Sequence, residues 1–408
     1  MRRVLGRSGR ALIGAAFLCV FWGGSDVSRA QEPEVLCHNG SGSFGAVVNG
    51  QVTVQVKTAR NGMLAIRACS ATLSGNKQVL SVADGVAQID VDTFGGDLGL
   101  GMPVVAFQVK KSDSDCCMEY QVFSLAAPVR LMRTISGGES FIAQDVDLDG
   151  RVDIWTNDLR AMRGFENLTA LDMDPPTIVL RFEGGKLLDV SSEFRSYFDG
   201  KIEGLRKELD AESLRDFKNS DGKLSIDTSL APAQIHRLRG IKGKVLGIIL
   251  GYLYSGREKE AWNALAEMWP AADADRIRSA IVSARAQGMM AQVDGTSSEP
   301  ADRQKKQVAI YNAMDLSGGR PEVTPPRAIL LWQPAPLVSL DHGSSPAETQ
   351  VELVVDSAGK VRSAEQTTKK GPADDALLHA ALGWKFIPAF KNGHAVASRT
   401  RLAVSPRQ

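Results

Sequence analysis

Alternation of apolar and polar positions dominates the first half of the chain. Gln51–Lys57 (QVTVQVK), Val104–Val109, Tyr120–Leu125 and Thr177–Phe182 follow the two-residue period of strands that bury one face. Gly, Asp, Asn and Pro separate these runs and supply the backbone geometries of turns. A mainly-β region is therefore expected from Val35 to Val190. At Asp189 the period changes. Phe194, Phe198, Ile202, Leu205 and Leu209 recur at intervals of three and four, one face of an amphipathic helix that Asp189 or a nearby serine can cap. Further helices are expected over Ile235–Tyr254, through Ala261, Trp262, Leu265, Met268 and Trp269 up to Pro270, and over Asp273–Gln287, where Gly288 is a C-terminal stop.

The segment 296–336 carries Ser297, Pro300, Gly318, Gly319, Pro321, Pro325, Pro326, Pro334 and Pro336, a linker composition. Beyond it Val351–Asp356 alternates as a strand, the Ser357–Lys360 turn holds Gly359, and a second strand begins at Val361. A short helix through Ala376, Leu377, Ala380 and Ala381 follows, then a turn at Gly393 and a final strand, Val396–Val404. At the chain end of a three-stranded sheet, that strand is expected to be an edge with unpaired backbone groups. The chain reads as multidomain α+β. It divides into a β domain over 31–190 built on a partial, blade-like sheet, a helical region over 191–295, the linker, and a small ββαβ domain over 337–408.

The first 30 residues have the layout of a secretory signal peptide. Arg2, Arg3, Arg7 and Arg10 precede the apolar run Ala11–Trp22, and Ser28 and Ala30 suit the −3 and −1 positions of cleavage before Gln31. That run is shorter than the ~20 residues a membrane-spanning helix needs, and no later segment is long enough. The mature chain is expected in the periplasm or secreted, without a transmembrane helix. It keeps Cys37, Cys69, Cys116 and Cys117, an even number suited to disulfides in an oxidising compartment. A bridge between neighbours is strained, which favours the two arrangements joining Cys116 and Cys117 to Cys37 and Cys69. A net charge of +1 gives no field for recruiting nucleic acid.

The sharpest motif is Asp145-Val-Asp147-Leu-Asp149-Gly150-Arg-Val-Asp153. Carboxylates at positions 1, 3 and 5 with glycine at 6 aim several oxygens at one hard cation. An EF-hand would need an acid at position 12, where Thr156 stands. With an acid at position 9 opening a strand (Ile154, Trp155), and with two strands around Gly184-Gly185 downstream, the segment resembles the calcium loop and blade of FG-GAP and VCBS repeats. The resemblance implies one structural Ca²⁺ on Asp145, Asp147, Asp149 and Asp153, with the carbonyl of Arg151.

No catalytic residue is expected. The five histidines (His38, His236, His342, His379 and His394) have no ligand spacing, and no nucleophile elbow, P-loop or dinucleotide fingerprint occurs. At the other end, VELVVDSAGKV, LLHAALGWKFIPAF and NGHAV, in that order, are similar to the TonB C-terminal domain family. Trp384, Phe386 and Pro388 are read there as core and turn residues. The resemblance implies a binding or scaffolding protein whose C-terminal domain engages an envelope protein or cell-wall material. A component of energy-coupled transmembrane transport is the alternative, and a secreted hydrolase the third.

Overall fold

A computed structural model describes residues 36–404, apart from 49–51, 62–65, 76–77, 115, 163–164, 166–167, 169–171, 226–229, 298, 300–306, 315–322, 331–348 and 368–374. Residues 1–30, read as a signal peptide, lie outside the described residues. Pro33–Gln408 form one compact unit. The order along it is α+β: sheets over 37–183, helices over 191–292, then a mixed sheet with a short helix.

Strand Val104–Lys110 lies at the centre because nearly every residue of VVAFQV is apolar, and all six are buried. Its alternate residues belong to different cores. Val105, Phe107 and Val109 pack with Val54, Val56 and Leu73 of a first sheet, while Val104 and Ala106 pack with Ile154, Ile178 and Leu180 of a third. The expected one-sided alternation thus becomes burial on both faces, because a sheet covers each side. The central sheet runs Cys37–His38, Gln88–Phe94, Val104–Lys110, Met118–Ser124, Arg130–Gly138, antiparallel throughout. The first is the meander Phe44–Val48, Val52–Asn61, Ile66–Gly75, Gln78–Val86. The third is the meander Phe141–Gln144, Asp153–Asn157, Thr177–Glu183, Lys186–Asp189, to which Gly295–Thr296 adds in parallel. Gln108, a polar residue inside, accepts the Phe141 N–H at 2.7 Å and so ties the central sheet to the third.

The disulfides correct the expected connectivity. Cys37 bonds Cys69, and Cys116 bonds its neighbour Cys117. Register explains why the pairs do not cross. Cys37 pairs with Ile89, Ile89 with Val109, and Val109 with Glu119. Three strand spacings of ~4.8 Å put the Cys116–Cys117 turn beyond the ~7 Å Cα limit of a bridge to Cys37. Cys37 and Cys69 are fully buried between the first and central sheets, as an oxidising compartment allows. Among the described residues no helix is long and apolar enough to cross a membrane.

The helical layer covers the third sheet. Asp189 accepts the Ser191 N–H at 2.9 Å and starts a single 3₁₀ turn, Ser191–Phe194, before the helix Arg195–Lys207. The helix Ala211–Lys218 was not visible as a period because it is short; its signal is the N-cap Asp210, which accepts the Ser213 N–H at 2.8 Å. Pro232–Tyr254, Glu258–Met268 and Ala274–Gln287 follow as the periodicity predicts. Asp158, buried at the end of a third-sheet strand, accepts from the Tyr254 hydroxyl and from the N–H groups of Met289 and Ala161. That one carboxylate joins the sheet to the end of the Pro232–Tyr254 helix and to the turn that follows Ala274–Gln287.

Residues 296–336, expected as a linker, contribute short strands instead. Tyr311–Asn312 pairs with Ser398–Arg399 in parallel, and Arg327–Leu330 pairs with Lys385–Ile387. The C-terminal sheet has the order Tyr311–Asn312, Ser398–Val404, Thr349–Val355, Val361–Gln366. The last strand therefore lies inside the sheet, flanked on one side along its whole length and on the other over two residues. The helix Asp375–Ala381 covers one face, with Trp384 and Phe386 buried against Val351, Leu353 and Val355. Gly359 (φ +85°) is required at its turn: a Cβ there would lie 1.9 Å from the Phe386 carbonyl oxygen.

Candidate metal centre

The loop between Phe141–Gln144 and Asp153–Asn157 turns back through two left-handed residues, Leu148 (φ +56°) and Gly150 (φ +86°). This curl folds three acids inward. Asp145, Asp147 and Asp149 each bring a carboxylate oxygen within 4.8 Å of the others, a group that can hold a metal ion. Asp145 is fully buried and accepts the N–H of Asp149 at 3.0 Å and of Gly150 at 2.8 Å. Asp149 accepts the Arg151 N–H at 2.9 Å and its Nε at 3.1 Å. A carboxylate has about four lone-pair sites, so these bonds leave capacity for a cation.

Asp153 stands apart from this group. It sits opposite Arg181 on the neighbouring strand, and its Oδ1 accepts from Arg181 Nε at 2.7 Å. Arg181 is buried and cannot give up its proton, so it requires counter-charges, which Asp153 and Glu193 supply. Those acids hold its pKa above the usual arginine range against the opposing effect of burial. Arg151, expected to give a carbonyl, spends its guanidinium on Asp149, Glu299 and Glu193.

The residue that sequence reasoning missed is Asp356. It is buried in the Asp356–Lys360 turn, accepts the N–H groups of Ala358 and Lys360, and takes the Asp145 N–H at 3.0 Å. Burial, reinforced by the charges of Asp356 and Asp149, pushes the Asp145 carboxyl up to about 7. Burial likewise pushes Asp356 up to about 6, although its N–H partners, Arg362 and Lys360 oppose the rise. Nothing local in the sequence marks Asp356, since Asp-x-x-Gly is an ordinary turn.

The C-terminal sheet is fastened around this contact. Lys360 donates to the Asp92 carboxylate, which also accepts from the Tyr120 hydroxyl at 2.6 Å and the Ala143 N–H at 2.9 Å. Lys385 pairs with Asp90, and Thr93 donates to the Ala358 carbonyl at 2.8 Å. Arg362 reaches Gln144 at 2.7 Å and the Val146 carbonyl at 3.3 Å. Beside the aspartate loop lies a cleft of about 580 Å³, with Gly99, Arg151, Phe182, Tyr311, Ser357 and His394 in its walls. Gly99 (φ +90°) belongs there for packing, because a Cβ would lie 2.1 Å from the Phe182 carbonyl oxygen.

No family model, curated protein or solved structure matches the chain.

Proposed function

We propose that the chain is an exported envelope protein that binds rather than catalyses. In this reading a β body with one structural Ca²⁺ carries a TonB-like C-terminal module, and the module takes an extended segment of another envelope protein along its last strand. The observation that carries the reading is the outer side of Ser398–Val404. The carbonyls of Ala397 and Arg399 face Tyr311–Ala313, so alternation turns Arg401 and Ala403 the same way. Among the described residues no strand pairs with them on that side. Unpaired backbone groups on a strand are a template for strand addition. Ca²⁺ would be held by Asp145, Asp147 and Asp149, and would fix the loop that receives Asp356. Export, by signal cleavage near Ala30 into the periplasm or beyond, is supported by the arginine-rich start and by the buried Cys37–Cys69 bridge.

Photo-crosslinking tests this reading. A crosslinking amino acid at Ala403, which is exposed, should give one discrete adduct in the envelope of expressing cells. Arg401→Pro removes an outward N–H and should abolish the adduct while leaving the melting temperature close to that of the parent. Absence of an adduct removes the proposed envelope partner, and an adduct that survives the proline rules the edge out as the binding surface.

A further inference from the structure

Part of that outer edge already has an occupant, and it comes from the chain itself. The segment leaves the aspartate loop, where the Val308 N–H donates to the Leu148 carbonyl at 2.7 Å. It then runs beside the last strand in parallel, Tyr311 opposite Ser398 and Asn312 opposite Arg399. Its backbone bonds include Tyr311 N–H to the Ala397 carbonyl at 3.0 Å and Ala313 N–H to the Arg399 carbonyl at 2.9 Å. Side chains alternate as in any strand. Tyr311 lies beneath the Lys391 ammonium, 4.1 Å from its ring centroid; Asn312 is exposed; Ala313 is buried with Val323 and Ala389. The same strand is held on its other side by seven register pairs, so the outer segment is much the weaker of its two neighbours.

We infer that Val308–Ala313 is a displaceable strap over a strand-addition site, whose incoming occupant is an extended protein segment of aromatic–any–small pattern, added in parallel as Tyr311-Asn312-Ala313 is. The inference rests on the proposed use of the last strand as a binding edge. Its physical basis is a difference in bonding. The strap satisfies Ala397 and Arg399 and stops, whereas a longer incoming strand also pairs with Arg401 and Ala403. A ligand shifts an equilibrium only by binding one state better than the other, and those added bonds are available only once the strap has left. The pattern follows the contacts the strap already makes: a small side chain, Ala313, is buried with Val323 and Ala389, and Lys391 favours an aromatic face.

The probe is a fluorescein-labelled peptide copying residues 307–314 and continued by Thr-Val-Thr, so that it spans the positions opposite Arg401 and Ala403. Its affinity is measured by anisotropy for the mature chain, for a chain with 308–313 replaced by Gly and Ser at equal length, and for Ala313→Asp. The point variant places a charge in the buried contact of residue 313 with Val323 and Ala389 and leaves the rest of the strap intact. Both variants should bind at least ~10-fold more tightly than the parent, the factor expected when a strap closed about nine-tenths of the time is removed. Hydrogen exchange should show new protection in 397–404 on binding. Equal affinities in all three chains, or no binding by either variant, overturns the strap. An envelope adduct at Ala403 formed equally with and without the strap also overturns it and leaves the edge reading standing. Tight peptide binding by the strapless chain with no envelope adduct keeps the strap and removes the proposed partner.

Discussion

The backbone N–H of Asp145 donates to the carboxylate of Asp356, 211 residues further along the chain, at 3.0 Å. This one bond joins the first acid of the aspartate loop to the first turn of the C-terminal sheet. It places two buried carboxyls where each resists ionisation. Loop and module are therefore expected to respond together to cations, to pH and to mutation.

Calcium should stabilise the mature chain. Loops of this type in extracellular modules bind at about 10⁻⁴–10⁻³ M. At 10 mM calcium, mass action on the folded state then contributes roughly 1–3 kcal/mol. Scanning calorimetry should show a higher melting temperature with calcium than with chelator, and Asp147→Ala should remove the difference. Identical curves for the parent in calcium and chelator would reduce the aspartates to a turn.

The pH dependence has a definite sign. Asp145 and Asp356 have pKa values of about 7 and about 6, above the ordinary 3.8 of an unfolded chain. The folded state thus holds protons that the unfolded state has released. Their contribution to stability is fully present below the unfolded value and is lost as pH rises through 6 and 7. In chelator, melting temperature should fall from pH 5 to pH 8, and Asp145→Asn should flatten the slope. Because calcium competes with protons for Asp145, its stabilising effect should be larger at pH 8 than at pH 5. A calcium effect that grows toward acid would contradict this assignment.

The two disulfides should contribute unequally. Cys37–Cys69 closes a separation of 32 residues, for which the chain-entropy estimate is about 3–4 kcal/mol. Cys116–Cys117 encloses no residues between its ends and constrains the unfolded chain very little. Denaturant titration should show Cys37→Ser/Cys69→Ser losing several times more stability than Cys116→Ser/Cys117→Ser. Peptide mapping under non-reducing conditions should recover Cys37 linked to Cys69; a link from either to Cys116 or Cys117 would refute the pairing.

Lys360→Met should be costly and should loosen the C-terminal sheet first. It leaves the buried Asp92 without its ammonium partner, a loss of about 3–5 kcal/mol for a buried pair broken on one side. Adding Asp92→Asn should recover part of that loss, since the uncompensated charge goes with it. Limited proteolysis should cut the single variant within 349–404 sooner than the parent. A double variant no more stable than the single would mean that Lys360 acts by packing alone.

Local chemistry was enough to read much of this molecule. The β character of the first half, its strands at Val52–Asn61, Val104–Lys110, Met118–Ser124, Thr177–Glu183 and Lys186–Asp189, four of the five longer helices, the turn at Gly359 and the aspartate loop follow from periodicity and turn residues a few positions apart. So does the burial of Trp384 and Phe386. Strands such as Ile66–Gly75, Gln78–Val86 and Arg130–Gly138 do not. The final strand was legible as a strand but not as an interior one, because its outer neighbour comes from a segment that composition marks as a linker. Asp153 was legible as an acid of the loop. Its commitment to Arg181 depends on register between strands more than 20 residues apart.

The sequence by itself determined the β character of the first half, four of the helices, where an acidic loop forms and where the chain changes class, since those properties rest on neighbouring residues. Tertiary structure decided the partners: Cys37 with Cys69, Arg181 with Asp153, Asp145 with Asp356, and Tyr311 with the last strand. The physical reason is that each of these pairings depends on which faces and edges are brought together by burial. Apolar area is non-directional, and period alone does not say which sheet will cover a given face.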